Sequence, residues 1–301
     1  MKNTFFFLIL TTLIWSNISA QKTNTTPAQP TDFVITIKTS FGDMVAVLYD
    51  ETPKHKQNFL KLAREHFYDS LLFHRVIDGF MIQGGDPASK KSKAGEPLGN
   101  GSPGYTVDAE FNPKLYHKRG ALAAARIGGP QNPQKASSGS QFYIVHGTVT
   151  PEAMINSMKY DQGKLNTAMR EYMSKPENKA LSDTLKNLYT SGQMEKFNTR
   201  VLDLVPTVEK ATGIKIIKDI SPEKVKAYTT IGGTPFLDDD YTVFGEVIKG
   251  LDVIEKITKV QKNPSDRPLE DVRMFISVVE LPKQKITQEY GYVYPETAPK
   301  K

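Results

Sequence analysis

Residues 73–86 of this 301-residue chain read Phe-His-Arg-Val-Ile-Asp-Gly-Phe-Met-Ile-Gln-Gly-Gly-Asp. The stretch contains two short apolar runs, which are separated by Asp78 and Gly79 and followed by Gly84 and Gly85. Asp-Gly pairs flanked by apolar residues are typical of tight turns between strands. The pattern therefore predicts a β-hairpin at the centre of the fold.

The side chains of a strand point alternately to its two faces, so spacing assigns each residue to a face. On the first predicted strand Arg75 shares a face with Ile77, and His74 shares the other face with Val76. After the turn the predicted pairs are Phe80 with Ile82 and Met81 with Gln83. On spacing alone, a functional cluster and a buried hairpin with one solvated arginine remain equally open.

The stretch resembles the signature of the cyclophilins, a family of peptidyl-prolyl cis-trans isomerases. The similarity covers residues 32–148 and 231–281, where further blocks match the family in the same order. These blocks are Ala109-Glu110-Phe111 and residues 120–126, 138–145, 232–238 and 241–247. The resemblance implies a mainly β fold, a closed eight-stranded antiparallel barrel capped by helices. It also favours a functional interpretation of Arg75 over that of a solvated arginine.

Residues 1–20 have the pattern of a secretory signal peptide, with Lys2 before an apolar run over 5–15 and Ile18-Ser19-Ala20 at a plausible cleavage site. The apolar run is shorter than the ~20 residues that a membrane-spanning helix needs. An uncleaved anchor is the alternative interpretation. Residues 21–31, rich in Thr, Gln and Pro, are predicted to form a flexible leader. We therefore expect export, with the periplasm as the compartment.

The composition is that of an ordinary globular protein, with 39% hydrophobic and 24% charged residues. The chain has no cysteine, which excludes disulfides, thiolate chemistry and lipid attachment through cysteine. Export of such a chain fits a periplasm in which folding depends on packing alone. The net charge of +6 is spread along the chain, which predicts a solvated surface rather than nucleic-acid binding. No segment of the mature chain is expected to span a membrane.

Residues 149–230 interrupt the similarity to cyclophilins by some eighty residues. Apolar residues recur there at helical spacing, and Thr150-Pro151-Glu152 and Ser221-Pro222-Glu223 both look like helix starts. We predict a helical insert whose Met and Leu side chains form a small core of their own. An exposed groove that binds clients or a partner is the alternative. The last segment, residues 282–301, is a Lys-rich tail that we expect to be loose.

The reaction that the resemblance implies makes limited chemical demands. An X-Pro bond crosses between cis and trans over a barrier of ~20 kcal/mol, which arises from amide resonance. No covalent bond is made or broken, so the reaction requires no cofactor, metal or nucleophile. It requires a donor that takes up the lone pair of the imide nitrogen and a dry pocket that holds the proline ring. A 10⁵-fold acceleration needs roughly 7 kcal/mol, of which one charge-assisted hydrogen bond supplies part.

The residue types of the signature suit these demands. Arg75 stays charged and offers a planar set of donors, and by similarity to cyclophilins it contacts the prolyl carbonyl and nitrogen. Gln83 resembles the family glutamine that orients this arginine, and Phe80 completes the predicted catalytic group. The resemblance further implies a set of substrate-binding residues. They are His74, Met81, Ala125, Arg126, Gln141, Tyr143, Phe236, Leu237 and Tyr241.

Several of these positions differ from the common family pattern. Tyr143 stands where many members have Phe, Arg126 replaces an asparagine, and Tyr241 replaces a histidine. Phe236 stands where cyclosporin-sensitive members carry Trp, and a phenyl ring has no indole N–H to donate. We therefore predict weak binding of cyclosporin.

Other chemistries find little support in the sequence. The five histidines show no metal-ligand spacing, and no G-x-S-x-G motif is present. His74 is expected to be a packed, hydrogen-bonded residue rather than an acid or base. Residues 99–104 match G-x-G-x-x-G, but no predicted strand precedes them and an extended segment follows, so we reject a dinucleotide site.

Two hypotheses of different classes remain. The first is an exported prolyl isomerase that accelerates the folding of proline-containing, unfolded or partly folded proteins. The second is a binding module or chaperone in which the insert holds clients and the isomerase site is secondary.

Overall fold

The computed structural model describes residues 29–295, which form ten strands and eight α-helices. The strands are β1 (Thr31–Thr39), β2 (Gly42–Leu48), β3 (Leu71–Ile77), β4 (Met81–Gly84), β5 (Thr106–Val107), β6 (Ala121–Ala124), β7 (Ser137–Ser138), β8 (Phe142–Val145), β9 (Val243–Lys249) and β10 (Arg273–Pro282). The predicted signal peptide, 1–20, and residues 21–28 of the predicted leader lie outside the described residues.

Eight of these strands close into an antiparallel barrel in the order β1-β10-β3-β4-β8-β6-β9-β2. The strands β5 and β7 pair with each other in a separate two-stranded sheet. The closed eight-stranded barrel implied by the sequence is therefore confirmed. The predicted hairpin at 73–86 supplies two neighbouring strands, β3 and β4, of this barrel.

Helices cover the barrel and build the insert. They are α1 (Pro53–Arg64), α2 (Glu152–Ser157), α3 (Gln162–Met173), α4 (Lys179–Thr190), α5 (Met194–Thr212), α6 (Pro222–Thr230), α7 (Leu251–Thr258) and α8 (Lys283–Tyr290). The helix α1 begins at Pro53, where its missing N–H costs no hydrogen bond. It packs Phe59 and Leu62 into the main core, and α7 adds Ile254 and Ile257.

The insert is helical, as predicted, and has an apolar core of its own. Buried side chains from α3, α4 and α5 meet in a cluster that is separate from the core of the barrel. Its buried members include Leu165, Leu185 and Val205. Thr148 and Gly233, which flank the insert, pair through two backbone hydrogen bonds of 3.2 and 3.0 Å. The chain therefore leaves the barrel and returns to it at a single place.

The C-terminal segment is not loose over Lys283–Tyr290, where it forms α8. Ile286 is fully buried among Val34, Val45 and Val47 of the first hairpin. The expectation of a loose tail is wrong for this helix. Within residues 29–295, no helix combines the length and the apolar character that crossing a bilayer requires.

Candidate functional site

Strand pairing places four side chains in one row on the outside of the barrel, and three of them belong to predicted site residues. Arg75 lies opposite Gln83 across β3 and β4, and Gln83 lies opposite Tyr143 across β4 and β8. Tyr143 in turn lies opposite Ala123 of β6. Directly opposed residues share a face of the sheet, so this register alone brings the guanidinium, the amide and the aromatic ring together. The other face fills the barrel with Val76, Leu122, Ile82 and Ile144.

A cavity of about 480 Å³ lies over this row. Ten of the twelve predicted site residues line it, and these are His74, Arg75, Phe80, Met81, Gln83, Ala125, Arg126, Tyr143, Leu237 and Tyr241. Gln141 lines an adjoining cavity of about 700 Å³ that shares Gln83 and Ala125 with the first. Phe236 is 60% exposed and stacks on Phe80, with 5.7 Å between ring centroids. Within the described chain, no residue of 149–230 lines the 480 Å³ cavity.

A chain of hydrogen bonds holds the guanidinium in place. Arg75 Nη1 donates to Gln83 Oε1 at 3.3 Å, and Gln83 Nε2 donates to Gln141 Oε1 at 3.0 Å. Gln141 Nε2 then donates to the carbonyl oxygens of Gly99 and Gly101 at 2.9 and 2.8 Å. The two carbonyls fix which end of the Gln141 amide is the donor, and this choice fixes the orientation of Gln83. The orientation of Arg75 therefore depends on the loop at 99–101.

The loop at 99–101 is itself held by a buried carboxylate. Asp86, at the end of the signature, is fully buried and accepts the backbone N–H groups of Gly99 at 2.5 Å and Gly101 at 3.2 Å. A Cβ at Gly101 would lie 1.9 Å from Asp86 Oδ1, so only glycine fits there. Two backbone donors of the G-x-G-x-x-G segment, those of Gly99 and Gly101, are thus occupied by Asp86.

The wall of the cavity beside Arg75 is apolar. Met81 and Tyr143 are buried, and Phe80, Leu237 and Tyr241 pack against them in a second cluster outside the barrel core. The guanidinium carbon of the half-buried Arg75 lies 5.9 Å from the centroid of the Phe80 ring. The site therefore places a cation next to an apolar wall. Among residues 29–295, no three His, Cys, Asp or Glu side chains cluster in a way that could hold a metal ion.

Comparison with known proteins agrees with this geometry. The family model for "Cyclophilin type peptidyl-prolyl cis-trans isomerase/CLD" matches residues 34–169 and 223–278, more than half of the chain. The chain belongs to the cyclophilin-type peptidyl-prolyl cis-trans isomerase family. The two matched segments leave out residues 170–222 of the predicted insert and include both of its ends, residues 149–169 and 223–230.

Two relatives and one solved structure are similar to this chain. A peptidyl-prolyl cis-trans isomerase of Staphylococcus saprophyticus is 31% identical over 248 residues, which cover 80% of this chain and 89% of that protein. A bifunctional phosphatase/peptidyl-prolyl cis-trans isomerase of Streptococcus pyogenes is 33% identical, but the match spans only 37% of its length and 79% of this chain. A cyclophilin structure from Cryptosporidium parvum has 19% identity and a TM-score of 0.46, and covers 83% of this chain and 98% of that chain.

Two departures from the common cyclophilin pattern, Arg126 and Tyr241, occur as a pair. The guanidinium carbon of Arg126 lies 4.4 Å from the centroid of the Tyr241 ring. Arg126 Nε also donates to the carbonyl oxygen of Asp240 at 2.7 Å. The stacked arginine and tyrosine close one side of the cavity. Arg126 and Tyr241 therefore pack against each other, so each departure from the pattern provides the packing partner of the other.

The predicted face of His74 is wrong, because the pairing register of β3 and β4 shifts between Phe73 and Arg75. Phe73 and Val76 both enter the core, whereas His74 lines the cavity with Arg75. The expectation that His74 is hydrogen-bonded is also wrong. Neither of its ring nitrogens has a hydrogen-bond partner among the described residues. Burial lowers the pKa of His74 to about 4, so the ring is neutral at pH 7.

The predicted pairing of Phe80 with Ile82 on one face is wrong too. Phe80 lies in the turn between the strands, and its N–H donates to the carbonyl oxygen of Ile77 at 3.1 Å. Its ring therefore faces the cavity with Met81, while Ile82 fills the barrel. Alternation is a property of extended backbone and does not continue through a turn.

Sequence reasoning missed the loop that forms the far side of the cavity. Asn263, Ser265 and Arg267 line it, and the carbonyl oxygen of Asp266 accepts the N–H of Val76 at 2.8 Å. Arg267 is buried, and its guanidinium donates to the carbonyl oxygen of Glu96. The Asn-Pro-Ser-Asp-Arg-Pro run indicates a loop, but nothing in it indicates where the loop packs.

Proposed function

We propose that this isomerase acts on X-Pro bonds of exported proteins during folding, and that Arg75 stabilises the twisted imide in the hydrophobic pocket. The main support is the geometry of one cation. Arg75 is half-buried, is oriented by Gln83 at 3.3 Å and lies next to the apolar wall formed by Phe80 and Met81. A donor fixed before the reaction loses no free energy to reorganisation when the transition state forms.

The proposed mechanism follows from the loss of amide resonance as the X-Pro bond twists. Rotation about the X-Pro bond ends the resonance, so the lone pair returns to the imide nitrogen and becomes a hydrogen-bond acceptor. Arg75 donates to that nitrogen, which gains electron density only in the twisted state, and its second donor holds the carbonyl oxygen of the proline residue in place. The buried side chains of Met81 and Tyr143 hold the ring and keep water away, which strengthens the interaction. Preferential binding of the twisted state accelerates the rotation.

A peptide assay on the purified mature chain tests the mechanism. The rate of cis-trans conversion of short X-Pro peptides should fall at least about 100-fold in Arg75→Ala, in line with the loss of one donor to a developing charge. Arg75→Lys keeps the charge but not the planar donors and should remain well below the wild type. Arg64→Ala is the matched control, because Arg64 stacks on Phe33 away from the cavity. Full activity of Arg75→Ala would rule out the proposed role.

The proposed export rests on the pattern of residues 1–20, a charged start, an apolar run and a small-residue cleavage site. Expression of the full chain in a Gram-negative host, followed by osmotic release of the periplasm, tests it. The released protein should begin near residue 21 when its mass is measured. A chain that keeps Lys2 and stays with the cytoplasm or the membrane would contradict export.

An exposed apolar groove favours a second function, the holding of clients by the insert. A cavity of about 340 Å³ is lined by Phe80, Val149, Met154 and Phe236, of which Met154 is 52% exposed. The groove thus connects α2 of the insert with a residue of the proline pocket. An unfolded client bound by its proline could place an adjacent apolar side chain there.

Suppression of client aggregation distinguishes the two functions. If the groove holds clients, Arg75→Ala should still suppress aggregation, whereas Met154→Glu should not. Met194→Glu is the matched control, since Met194 is an exposed methionine of the insert that does not line the groove. Loss of suppression in Arg75→Ala, with no effect of Met154→Glu, would leave isomerisation as the only function.

A further inference from the structure

A buried carboxylate joins the insert to the barrel. The side chain of Asp238 is 8% exposed, and two residues of α6 bind its Oδ2 atom. Tyr228 Oη donates to Oδ2 at 2.7 Å, and Lys224 Nζ lies 2.7 Å from the same atom. On the barrel side, Oδ1 accepts the backbone N–H of His117 at 3.0 Å and contacts the Nδ1 atom of His117 at 2.8 Å. All sides of the carboxylate are therefore occupied by donors.

His117 extends these contacts from Asp238 to Tyr143, which lines the cavity. Its side chain is 1% exposed, and its Nε2 atom lies 2.9 Å from Tyr143 Oη. The two rings stack, with 6.0 Å between centroids and 12° between planes. With Nδ1 donating its hydrogen to Asp238, Nε2 is placed to accept the O–H of Tyr143. Tyr143 thus has a fixed partner behind the ring that faces the cavity.

The pKa shifts of Asp238 and the two tyrosines give these hydrogen bonds one direction of donation near neutral pH. Burial alone would raise the pKa of Asp238, but hydrogen bonding by His117 and the charge of Lys224 keep that pKa below its usual value. Burial, together with Asp238, raises the pKa values of Tyr143 and Tyr228 well above their usual value. Asp238 is therefore an anion that only accepts, and both tyrosines donate toward it along the chain.

We propose that α6 of the insert positions Tyr143 in the wall of the proline pocket through Asp238 and His117. The proposal rests on the proposed function, because it takes the cavity beside Arg75 as the site of isomerisation. Tyr228, Asp238 and His117 are positioning residues, since they act on the substrate only through Tyr143. The aromatic ring of Tyr143 also meets Tyr241 edge-on at 6.0 Å, so its position sets the shape of the slot.

This chain of contacts gives the Tyr143 hydroxyl a role that phenylalanine, common at this position in cyclophilins, cannot fill. A phenyl ring would still form an apolar wall but would have no bond to His117. The insert therefore contributes to substrate binding without lining the cavity itself. Loss of the contacts between α6 and Tyr143 should weaken binding of the ground state and of the transition state equally. Such a loss raises KM more than it lowers kcat.

A double-mutant cycle on kcat/KM with a short X-Pro peptide tests the proposal. Tyr228→Phe should lower kcat/KM about fivefold, mainly through KM, since coupled residues typically share interaction energies of ~1 kcal/mol. In the Tyr143→Phe background the hydrogen bond between residue 143 and His117 is already absent. Tyr228→Phe should therefore have no further effect there. Equal effects in both backgrounds would overturn the proposal, as would an unchanged KM in Tyr228→Phe.

Tyr116→Phe is the matched control for the loss of a hydroxyl at the same junction. The Tyr116 ring meets that of Tyr228 edge-on at 5.6 Å but is not part of the hydrogen-bonded chain. Its effect should stay below about twofold and be the same in both Tyr143 backgrounds. A larger effect that disappears in Tyr143→Phe would assign the coupling to packing rather than to the hydrogen bonds, and would also overturn the proposal.

Lys224→Met provides a second variant in case Tyr228→Phe folds poorly. It removes the charge beside Asp238 while keeping most of the aliphatic length, and should raise KM in the same direction. The ring ¹⁵N shifts of His117 give an independent readout, because Nε2 should change in Tyr143→Phe as its donor is lost. If Arg75→Ala abolishes activity but the cycle is additive, the proposed function stands and this inference fails.

Discussion

At the scale of the residue, most polar groups of the site have fixed partners, and His74 is the exception. The guanidinium of Arg75 and the amides of Gln83 and Gln141 form a continuous series that ends on backbone carbonyls. His74, in contrast, is buried beside Arg75 with neither ring nitrogen bonded to the described residues. A buried polar group without a partner lowers stability, and for a histidine this cost depends on pH.

The pKa of His74, lowered by burial to about 4, predicts a loss of stability in mild acid. The unfolded chain binds a proton near pH 6.5 and the folded chain only near pH 4, so stability falls as the pH decreases through this window. The shift corresponds to roughly 3 kcal/mol in the free energy of unfolding. Urea titrations between pH 7 and pH 4 should show a smaller loss in His74→Leu than in the wild type.

His66→Leu is the control, since it removes an exposed histidine. Burial also lowers the pKa values of His55 and His146, so the wild-type slope alone does not isolate His74. The difference between His74→Leu and the wild type does isolate it. Parallel pH profiles for these two proteins would contradict the prediction.

Phe236 leads to a prediction about inhibition. Its ring is exposed and stacks on Phe80, and it offers no N–H donor to a ligand. Cyclosporin should therefore inhibit the wild-type isomerase only weakly, and Phe236→Trp should bind about tenfold more tightly, in line with one added hydrogen bond. Inhibitor titration of the peptide assay measures both. A nanomolar inhibition constant for the wild type would show that the prediction is wrong.

The residue scale also shows what the sequence could predict about the site. The resemblance of the motifs around Arg75, Gln83 and Tyr143 to the cyclophilins predicted which side chains gather, whereas spacing alone left the role of Arg75 open. The face on which His74 lies could not be predicted, because a shift in the pairing register of two strands does not change the spacing of apolar residues in the sequence. The positions of Asn263 and Arg267 were also missed, since loop packing depends on contacts distant in sequence.

At the scale of the element, the glycine loop at 99–101 determines the geometry of the cavity. It gives its N–H groups to Asp86 and its carbonyls to Gln141, so it connects the end of β4 with the start of β8. Two of its residues are glycines for different reasons, since Gly99 has a φ of +106° and a Cβ at Gly101 would overlap the carboxylate of Asp86. The loop is thus a rigid support for the orientation of Arg75.

Gly101→Ala should disturb this support. A Cβ there would lie 1.9 Å from Asp86 Oδ1, and relief of that overlap moves the loop away from Gln141. We expect a loss of ~1–3 kcal/mol in the free energy of unfolding and a lower kcat/KM. Gly128→Ala is the matched control, because a Cβ at that position meets nothing within 4 Å. Equal stability and activity of the two variants would contradict the role of the loop.

Elements differed in how well the sequence predicted them. The start of α1 followed from Pro53, and that of α6 from Ser221, whose side chain accepts the N–H of Lys224. The helix α8 was missed, because it buries a single residue, Ile286, and so carries no apolar stripe. Its stability comes from packing against the first hairpin rather than from a pattern of its own.

At the scale of the whole molecule, the chain passes between the barrel and the helical insert beside Thr148 and Gly233, and the Asp238 carboxylate adds a second contact. The barrel could be predicted because its blocks occur along the chain in the order that the family shows. The contact between α6 and Asp238 could not be predicted, since Tyr228 and Lys224 lie outside the matching blocks of the sequence analysis. The pairing of Thr148 with Gly233 means that removal of the insert leaves two chain ends already side by side.

Replacement of residues 149–230 by a short linker should therefore leave a folded barrel with lower stability. Asp238 would lose Tyr228 and Lys224, and a buried charge without its partners costs about 3–5 kcal/mol. Asp238→Asn should recover part of this loss in the shortened chain and destabilise the full chain. Urea denaturation of the four proteins gives the comparison. The same sign of the Asp238→Asn effect in both chains would contradict this account.

The closed barrel also limits what an unfolded client can do on this surface. Each of its eight strands has two neighbours, and the shortest pairing joins β10 to β3 through Arg273 and Met274 alone. Open edges template the addition of extended chains and seed aggregates. If the protein acts on unfolded chains, as proposed, closure of the barrel limits the strand edge on which such a chain could add.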